Sequence, residues 1–212
     1  MATVLVIEGL SRRFGAHHVI RALDLTVEPG ERLAVRGSNG SGKTTLLRCV
    51  AGTLAPSEGA ISIGGHAVGS LEARRLLGVS LSQERSFHLR LSGHEQLLFF
   101  ARLRSASSQE AERDVAALEE ELELVETAAR RVDKCSTGMV QQLAFARSLL
   151  GGPALLVLDE STRSLDKHAI SRLWSALDRR PEVAVLMATH REEDIDRCSR
   201  QLDLPLHLAD RA

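Results

Sequence analysis

The chain has 212 residues, of which 43% are hydrophobic, which is enough for the core of one globular unit. Its 27 basic and 28 acidic side chains leave a formal net charge of -1, a balance that argues against a dedicated nucleic-acid-binding protein. Cys49, Cys135 and Cys198 are far apart and odd in number, which excludes a disulfide framework and indicates a reducing compartment. Without a signal segment or a run of ~18 apolar residues, we expect a soluble chain.

The first third of the chain alternates strands with one helix. We predict strands at residues 4–8 and 23–27, in an antiparallel N-terminal region, and at 33–35 and 61–63. A helix is predicted from Thr44 to Ala51, where Gly52 follows as a C-terminal cap.

The middle of the chain, residues 92–132, is charge-rich and helical in pattern. Val115, Leu118, Leu122 and Val125 recur at three- and four-residue spacing, which predicts one buried helical face. Ser107 and Glu110 offer a capping box at its start. This section is our candidate for an inserted helical subdomain.

Strand character returns at residues 155–158, an unalternated apolar run typical of a parallel strand buried on both faces. An amphipathic helix is indicated next by four residues, and a second buried strand follows at 183–188. The four residues are Ile170, Leu173, Trp174 and Leu177. Strand and helix in alternation imply an α/β fold with a mainly parallel core.

A glycine-rich loop between the third predicted strand and the first predicted helix matches the phosphate-binding pattern GxxxxGK[ST] in its required context. The loop consists of Gly37, Ser38, Asn39, Gly40, Ser41, Gly42, Lys43 and Thr44. Its glycines let backbone N–H groups surround a phosphate chain at a helix N-terminus. Lys43 is predicted to reach the β- and γ-phosphates of ATP, and the Thr44 hydroxyl to ligate Mg²⁺.

An acidic pair closes the apolar strand at 155–158. Beside a phosphate loop, Asp159 is predicted to hold Mg²⁺ and Glu160 to polarise the attacking water. Both would stand at the carboxyl end of a parallel strand, where ligands bind in such sheets.

The segment Ser136-Thr137-Gly138-Met139-Val140-Gln141-Gln142 precedes this strand, and Asp166 and His190 follow it. In order and spacing, these motifs resemble those of the ATP-binding subunits of ABC transporters, over nearly the whole chain. The motif style is closest to the exporters of polysaccharides, lipids, drugs and peptides. The resemblance implies a P-loop ATPase core of mainly parallel sheet, with an N-terminal antiparallel β region and an inserted α-helical subdomain.

The resemblance also assigns roles to single residues. It implies catalytic roles for Lys43, Glu160 and His190, and Mg²⁺ ligation by Thr44, Gln83 and Asp159. The nucleotide-binding set comprises the loop 37–44 together with Phe14, Thr45, Gln83, Ser136, Gly138 and Asp166. Taken singly, Phe14 also fits a core aromatic, Asp166 a helix N-cap, and Gln83 and His190 ordinary structural roles.

Two segments depart from the family pattern. The usual Leu-Ser-Gly-Gly-Gln is here Cys135-Ser136-Thr137-Gly138-Met139, which keeps the serine and second glycine that face the γ-phosphate. These two residues are predicted at the start of a helix running to about Leu150. Ser161 replaces the proline after the glutamate, which we expect to loosen the loop without removing a reacting group.

We expect one nucleotide-binding domain over residues 1–212, with 1–84 and 141–212 as the ATPase core and about 85–140 as the helical subdomain. The resemblance implies a Mg²⁺-dependent ATPase that powers transport as a cytoplasmic subunit at the inner face of the membrane. Its partners would be a second ATPase subunit, with intact motifs favouring a homodimer, and integral membrane permease subunits, with no nucleic acid. The exporter-like residues 84–100, and only 22 residues after His190, favour export.

Two alternatives remain open from the sequence: an ABC-type ATPase without a membrane partner, and a nucleotide-dependent interaction module whose hydrolysis is vestigial.

Overall fold

The computed structural model describes residues 3–81, 87–105 and 107–204. Within these residues no helix combines the length and the apolar character needed to cross a bilayer. Two β-sheets and eight α-helices make up the described fold.

The N-terminal sheet is antiparallel and has the strand order β2-β1-β4-β5. Its strands are β1 (Leu5–Phe14), β2 (His17–Val27), β4 (Glu58–Ile63) and β5 (His66–Ala67). Buried residues alternate with more exposed ones at the start of β1, because one face of this sheet packs on the core and the other meets solvent. The predicted antiparallel N-terminal region is therefore confirmed.

The second sheet is parallel in every pairing and has the strand order β6-β7-β8-β3-β9. Its strands are β3 (Arg32–Arg36), β6 (Leu77–Ser80), β7 (Leu155–Asp159), β8 (Ala184–Ala188) and β9 (Arg200–Asp203). Every residue of β7 and β8 is buried, as their continuous apolar sequences predict. Parallel strands bring their carboxyl ends to one edge, so the segments after β3, β7 and β8 lie side by side.

The helices flank the parallel sheet. They are α1 (Lys43–Val50), α2 (Leu71–Arg75), α3 (Gly93–Arg102), α4 (Ser108–Glu121), α5 (Val125–Ala128), α6 (Thr137–Leu149), α7 (Lys167–Asp178) and α8 (Glu192–Ile195). A capping box formed by Ser92 and Glu95 begins α3, and Ser107 accepts a hydrogen bond from the Glu110 N–H at the start of α4. The division into an ATPase core and a helical subdomain at about 85–140 stays a prediction.

Two hydrophobic clusters lie on opposite faces of the parallel sheet because successive strand residues point in opposite directions. Leu155 and Val157 belong to the cluster that includes α1 and the antiparallel sheet. Leu156 and Leu158 belong to the other cluster, which includes residues of α3 to α7. Strand β7 is thus held from both sides, which fixes the position of the acidic pair at its end.

One predicted helical face ends earlier than the sequence pattern suggests. Val115, Leu118 and Leu122 are buried, but Val125 is 58% exposed. The prediction that Val125 belongs to the buried face was therefore wrong. Helix α4 stops at Glu121, and Glu123 adopts a left-handed conformation with φ of 52°. The chain turns there, and Leu124 enters the core in place of Val125.

Candidate functional site

The glycine-rich loop joins the end of β3 to the start of α1 with backbone angles that favour glycine. Gly37 has φ of 140° and Gly42 has φ of 104°, both in the region that side chains disfavour. A Cβ on Gly37 would lie 2.0 Å from the Leu204 carbonyl oxygen, and one on Gly42 would lie 2.9 Å from Val19 Cγ1. Both positions therefore need glycine for space as well as for conformation.

The Lys43 ammonium lies inside this loop. Its Nζ donates hydrogen bonds to the carbonyl oxygens of Gly37, at 2.7 Å, and Ser38, at 3.0 Å. The side chain is almost fully buried at 7% exposure, so its charge is directed into the loop. Gly42, the N-cap of α1, makes no side-chain capping bond, which leaves the helix N-terminus to other acceptors.

The Thr44 hydroxyl, in the first turn of α1, donates a hydrogen bond of 3.0 Å to Asp159 Oδ2. Asp159 ends β7 and is 2% exposed, so β7 and α1 together set the distance between these oxygens. A hydroxyl beside a carboxylate is the hard oxygen-donor set that Mg²⁺ prefers. Gln83, the third predicted ligand, lies outside the described residues.

Glu160 follows directly and has an uncommon backbone. Its φ is 49°, a left-handed conformation that costs a non-glycine residue about 1–3 kcal/mol and persists only where neighbours enforce it. Its N–H donates to the Ala188 carbonyl at 2.8 Å, and its own carbonyl accepts from Gln141 Nε2 at 2.6 Å.

The Glu160 carboxylate lies between two basic side chains. Oε2 accepts a hydrogen bond from Arg163 Nη1 at 2.8 Å, and Oε1 lies 3.4 Å from His190 Nε2. The structure thus brings Glu160 and His190 together from the ends of two neighbouring strands. No role was predicted for Arg163 from the sequence. The turn after Glu160 brings the Arg163 side chain back to the Glu160 carboxylate, which only the structure shows.

Ser136 and Gly138 begin α6 as the sequence predicts. Ser136 is the N-cap, with its hydroxyl accepting from the Met139 N–H at 3.2 Å. A Cβ on Gly138 would lie 2.6 Å from the Ser164 carbonyl oxygen, so glycine permits α6 to approach the segment after β7. Gln141 spans the same junction, since its Oε1 accepts from the Ser164 N–H at 3.2 Å.

A cavity of about 890 Å³ opens beside these elements. Its lining includes the loop and α1 residues Asn39, Gly40, Gly42, Lys43, Thr44 and Thr45. Asp159, Glu160 and Arg163 also line it, as do Thr137, Gln141 and Cys135 on the side of α6, and burial raises the pKa of the Cys135 thiol. Among the residues that the structure describes, neither Ser136 nor Gly138 lines this cavity.

His190 lines a smaller adjoining cavity of about 290 Å³, which it shares with Asn39 and Glu160. Asp166 lies apart from both cavities and is the N-cap of α7, as the alternative interpretation of the sequence held. The hydrogen bond from the Ala169 N–H lowers the pKa of Asp166, which keeps it ionised at the helix N-terminus.

Phe14, at the end of β1, is 49% exposed and therefore not a core aromatic. The Arg12 guanidinium lies 4.4 Å from the centroid of its ring. Phe14 does not line either cavity in the part of the chain that the structure describes.

Ser161, which was expected to loosen its loop, makes a contact of its own. It is 1% exposed, and its hydroxyl lies 3.4 Å from Ser80 Oγ at the end of β6. A proline has no hydroxyl for this contact, so serine ties the segment after β7 to the neighbouring strand.

Together, the phosphate-binding loop, the buried carboxylate at a strand end and the parallel sheet define a P-loop nucleotide-binding protein. Residues 20–163 match the family model described as ABC transporter, and the chain belongs to that family.

Two relatives and one solved structure agree with this assignment. The "Nod factor export ATP-binding protein I" of Rhizobium johnstonii is 35% identical over 91% of this chain and 63% of its own length. The "ABC transporter ATP-binding protein NatA" of Bacillus subtilis is 32% identical over 83% of this chain and 73% of its own length. A solved ATP-binding subunit of an ABC transporter has a TM-score of 0.86 at 28% identity, over 95% of this chain and 85% of that one. The chain thus spans less than two thirds of the Rhizobium relative.

Proposed function

We propose that this chain binds and hydrolyses ATP and thereby powers export across a membrane as the cytoplasmic ATPase subunit of an ABC transporter. The observation that carries the proposal is the grouping of the Glu160 carboxylate with His190, beside the Thr44–Asp159 pair and the phosphate-binding loop. ATP hydrolysis needs a phosphate cradle, a cation site and a base that orients water, and residues at this edge of the sheet would supply all three.

The loop 37–44, together with Thr45, would hold the phosphates of ATP. Lys43 would exchange its two carbonyl partners for phosphate oxygens, because its ammonium already points into the loop. Thr44 and Asp159 would hold Mg²⁺, with Gln83 as a third ligand; the bound ion supplies charge neutralisation between the phosphates. Phe14, half-exposed on the N-terminal sheet, would stack on the adenine.

Glu160 would accept the proton of the attacking water, and His190 would orient the carboxylate and the γ-phosphate. The Arg163 guanidinium donates a hydrogen bond to one carboxylate oxygen of Glu160. Its side chain is 77% exposed, so this ion pair is weak and readily exchanged for other partners.

The site would be completed by a second copy of the chain. Ser136 is exposed, and it does not face the larger cavity of its own chain. At the N-terminus of the 13-residue helix α6, Ser136 and Gly138 are suited to a γ-phosphate bound by a partner subunit. Asp166, the N-cap of α7, would also contact the nucleotide site. A head-to-tail homodimer would thus contain two shared sites.

Transport would require permease subunits in the membrane. Leu89 is 63% exposed and Phe99 is 49% exposed, and both belong to the segment after residue 83 that resembles the permease-binding region of exporters. The relative named for Nod factor export supports the outward direction.

Two measurements test this proposal. The purified chain should release phosphate from Mg·ATP at steady state, which separates an ATPase from an interaction module. The Glu160→Gln variant, isolated with ATP from native membranes, should retain an integral membrane protein. Recovery of soluble proteins alone, with phosphate release intact, would contradict transport and favour an ATPase without a membrane partner.

A further inference from the structure

Asp194, in the short helix α8, is a buried carboxylate to which the site described above gives no role. It is 0% exposed, although its neighbours Glu192 and Glu193 are exposed. A buried carboxylate is costly unless hydrogen bonds satisfy its oxygens, so its partners indicate what it holds in place.

Those partners come from three separate segments. Asp194 Oδ2 accepts a hydrogen bond from Thr162 Oγ1 at 2.5 Å and another from Thr189 Oγ1 at 3.2 Å. Oδ1 accepts from Trp174 Nε1, on helix α7, at 2.9 Å. The Arg191 guanidinium approaches Oδ2 to 3.6 Å.

Two of these partners adjoin the proposed reacting groups. Thr162 lies two residues after Glu160, and Thr189 immediately precedes His190. Both threonines line the same 290 Å³ cavity as Glu160 and His190. Beyond the ends of β7 and β8, the chain leaves the sheet hydrogen bonds, and the last backbone bond between the two segments is Glu160 N–H to the Ala188 carbonyl.

We propose that Asp194 is a positioning residue that fixes Glu160 relative to His190 by bridging Thr162 and Thr189. One carboxylate oxygen joins the two segments where the sheet no longer does. The bridge helps to enforce the left-handed backbone of Glu160, which is otherwise unfavourable. This inference rests on the proposed ATPase function, because it assigns Asp194 to the geometry of that reaction.

The test uses two variants that keep the side-chain shape. Thr162→Val removes the hydrogen bond to Asp194, and Thr189→Val removes the bond to Asp194 together with the one accepted from the Arg191 N–H. Thr162→Val and Thr189→Val should each lower kcat about tenfold, below the ~100-fold loss that a 1 Å misplacement causes. KM for ATP should stay within about twofold, because the proposed phosphate contacts belong to the loop 37–44 and Thr45. The double variant should be no slower than the slower single one, since either change already breaks the bridge.

Trp174→Phe is the matched control. It removes the third hydrogen bond to Asp194, on the side of α7, and should lower the melting temperature as much as the threonine variants do. Its kcat should remain within about twofold of wild type, because neither Glu160 nor His190 depends on that bond. A kcat that falls in proportion to melting temperature across all three variants would overturn the positioning role.

Hydrogen exchange decides the inference without relying on turnover. Thr162→Val should speed amide exchange at residues 189–191, and Thr189→Val should speed it at 160–164, whereas Trp174→Phe should affect neither segment. Changes confined to the mutated segment would overturn the bridge even in an active enzyme. If wild type releases no phosphate, the proposed function fails, and the exchange pattern still decides whether Asp194 joins the two segments.

Discussion

Replacing Glu160 with glutamine should abolish most phosphate release while leaving ATP binding intact. An amide cannot accept the proton of the attacking water, and loss of a general base slows turnover by about 10²–10⁴-fold. The amide keeps the shape of the carboxylate, so the contacts with Arg163 and His190 retain room to form. With ATP no longer consumed, the variant should accumulate as a dimer. Steady-state phosphate release and light scattering with Mg·ATP measure both effects.

Glu193→Gln is the control for this change. The Glu193 side chain is 80% exposed and pairs with Arg191. The substitution therefore removes one negative charge near the site without changing the loop. Its turnover should match wild type. If Glu160→Gln hydrolysed ATP at a near-normal rate, Glu160 would not be the base.

Replacing Lys43 with alanine should weaken ATP binding and slow turnover together. The ammonium is buried and directed into the loop, so its loss removes the cation that is proposed to contact the phosphates there. Loss of a hydrogen bond to a charged group, worth about 1.5–3 kcal/mol, should raise the Kd at least about tenfold. Loss of a donor that stabilises developing charge should lower kcat by a further ~10²-fold. Titration with a fluorescent ATP analogue gives Kd, and saturating phosphate-release assays give kcat.

Arg48→Ala is the matched control for Lys43. Arg48 is an exposed cation on the same helix, α1, at the end distant from the loop. Both variants lose one positive charge, so an effect of net charge would appear in both. Unchanged ATP affinity in Lys43→Ala would contradict the assignment of the loop as the phosphate-binding element.

The interior of the fold follows closely from the sequence because burial leaves a simple pattern. Strands β7 and β8 are continuous apolar runs, and both lie in the middle of the parallel sheet. Strands β6 and β9 escaped prediction. β6 is the four-residue Leu-Gly-Val-Ser, and β9 is the polar Arg-Gln-Leu-Asp, at the two edges of the sheet. Tertiary pairing rather than local preference makes them strands.

The candidate site was predictable where a motif gives the residue a fixed neighbour in sequence. The loop, the strand-end pair Asp159 and Glu160, and the position of Ser136 at the start of a helix all depend on local order along the chain. Thr44 and Asp159 are 115 positions apart, yet the loop and strand contexts were sufficient to bring them together.

Contacts between side chains from different segments could not be predicted in the same way. Asp194 belongs to a polar stretch whose pattern is typical of a solvent-exposed helix. Its burial depends on the packing of α8 against α7. Gln141 was visible in the sequence, but its bonds to Glu160 and Ser164 depend on how α6 meets β7. From the sequence, Ser161 meant only that a rigid proline was missing. In the structure, its buried hydroxyl contacts Ser80, which constrains the segment in another way.

If ATP is hydrolysed in a site shared by two copies of the chain, as proposed, then mixing two inactive variants should restore activity. Ser136→Asp keeps an N-cap for α6 but opposes the γ-phosphate with a negative charge, while Ser136→Asn keeps the cap without the charge. The Asp variant and Lys43→Ala should each be inactive alone, and the Asn variant should retain activity.

An equimolar mixture of Ser136→Asp with Lys43→Ala should then recover phosphate release. Random pairing makes half of the dimers mixed, and each mixed dimer joins an intact loop to an intact Ser136, so about a quarter of the wild-type rate is expected. A mixture as inactive as its separate components, with mixed dimers present, would contradict the shared site.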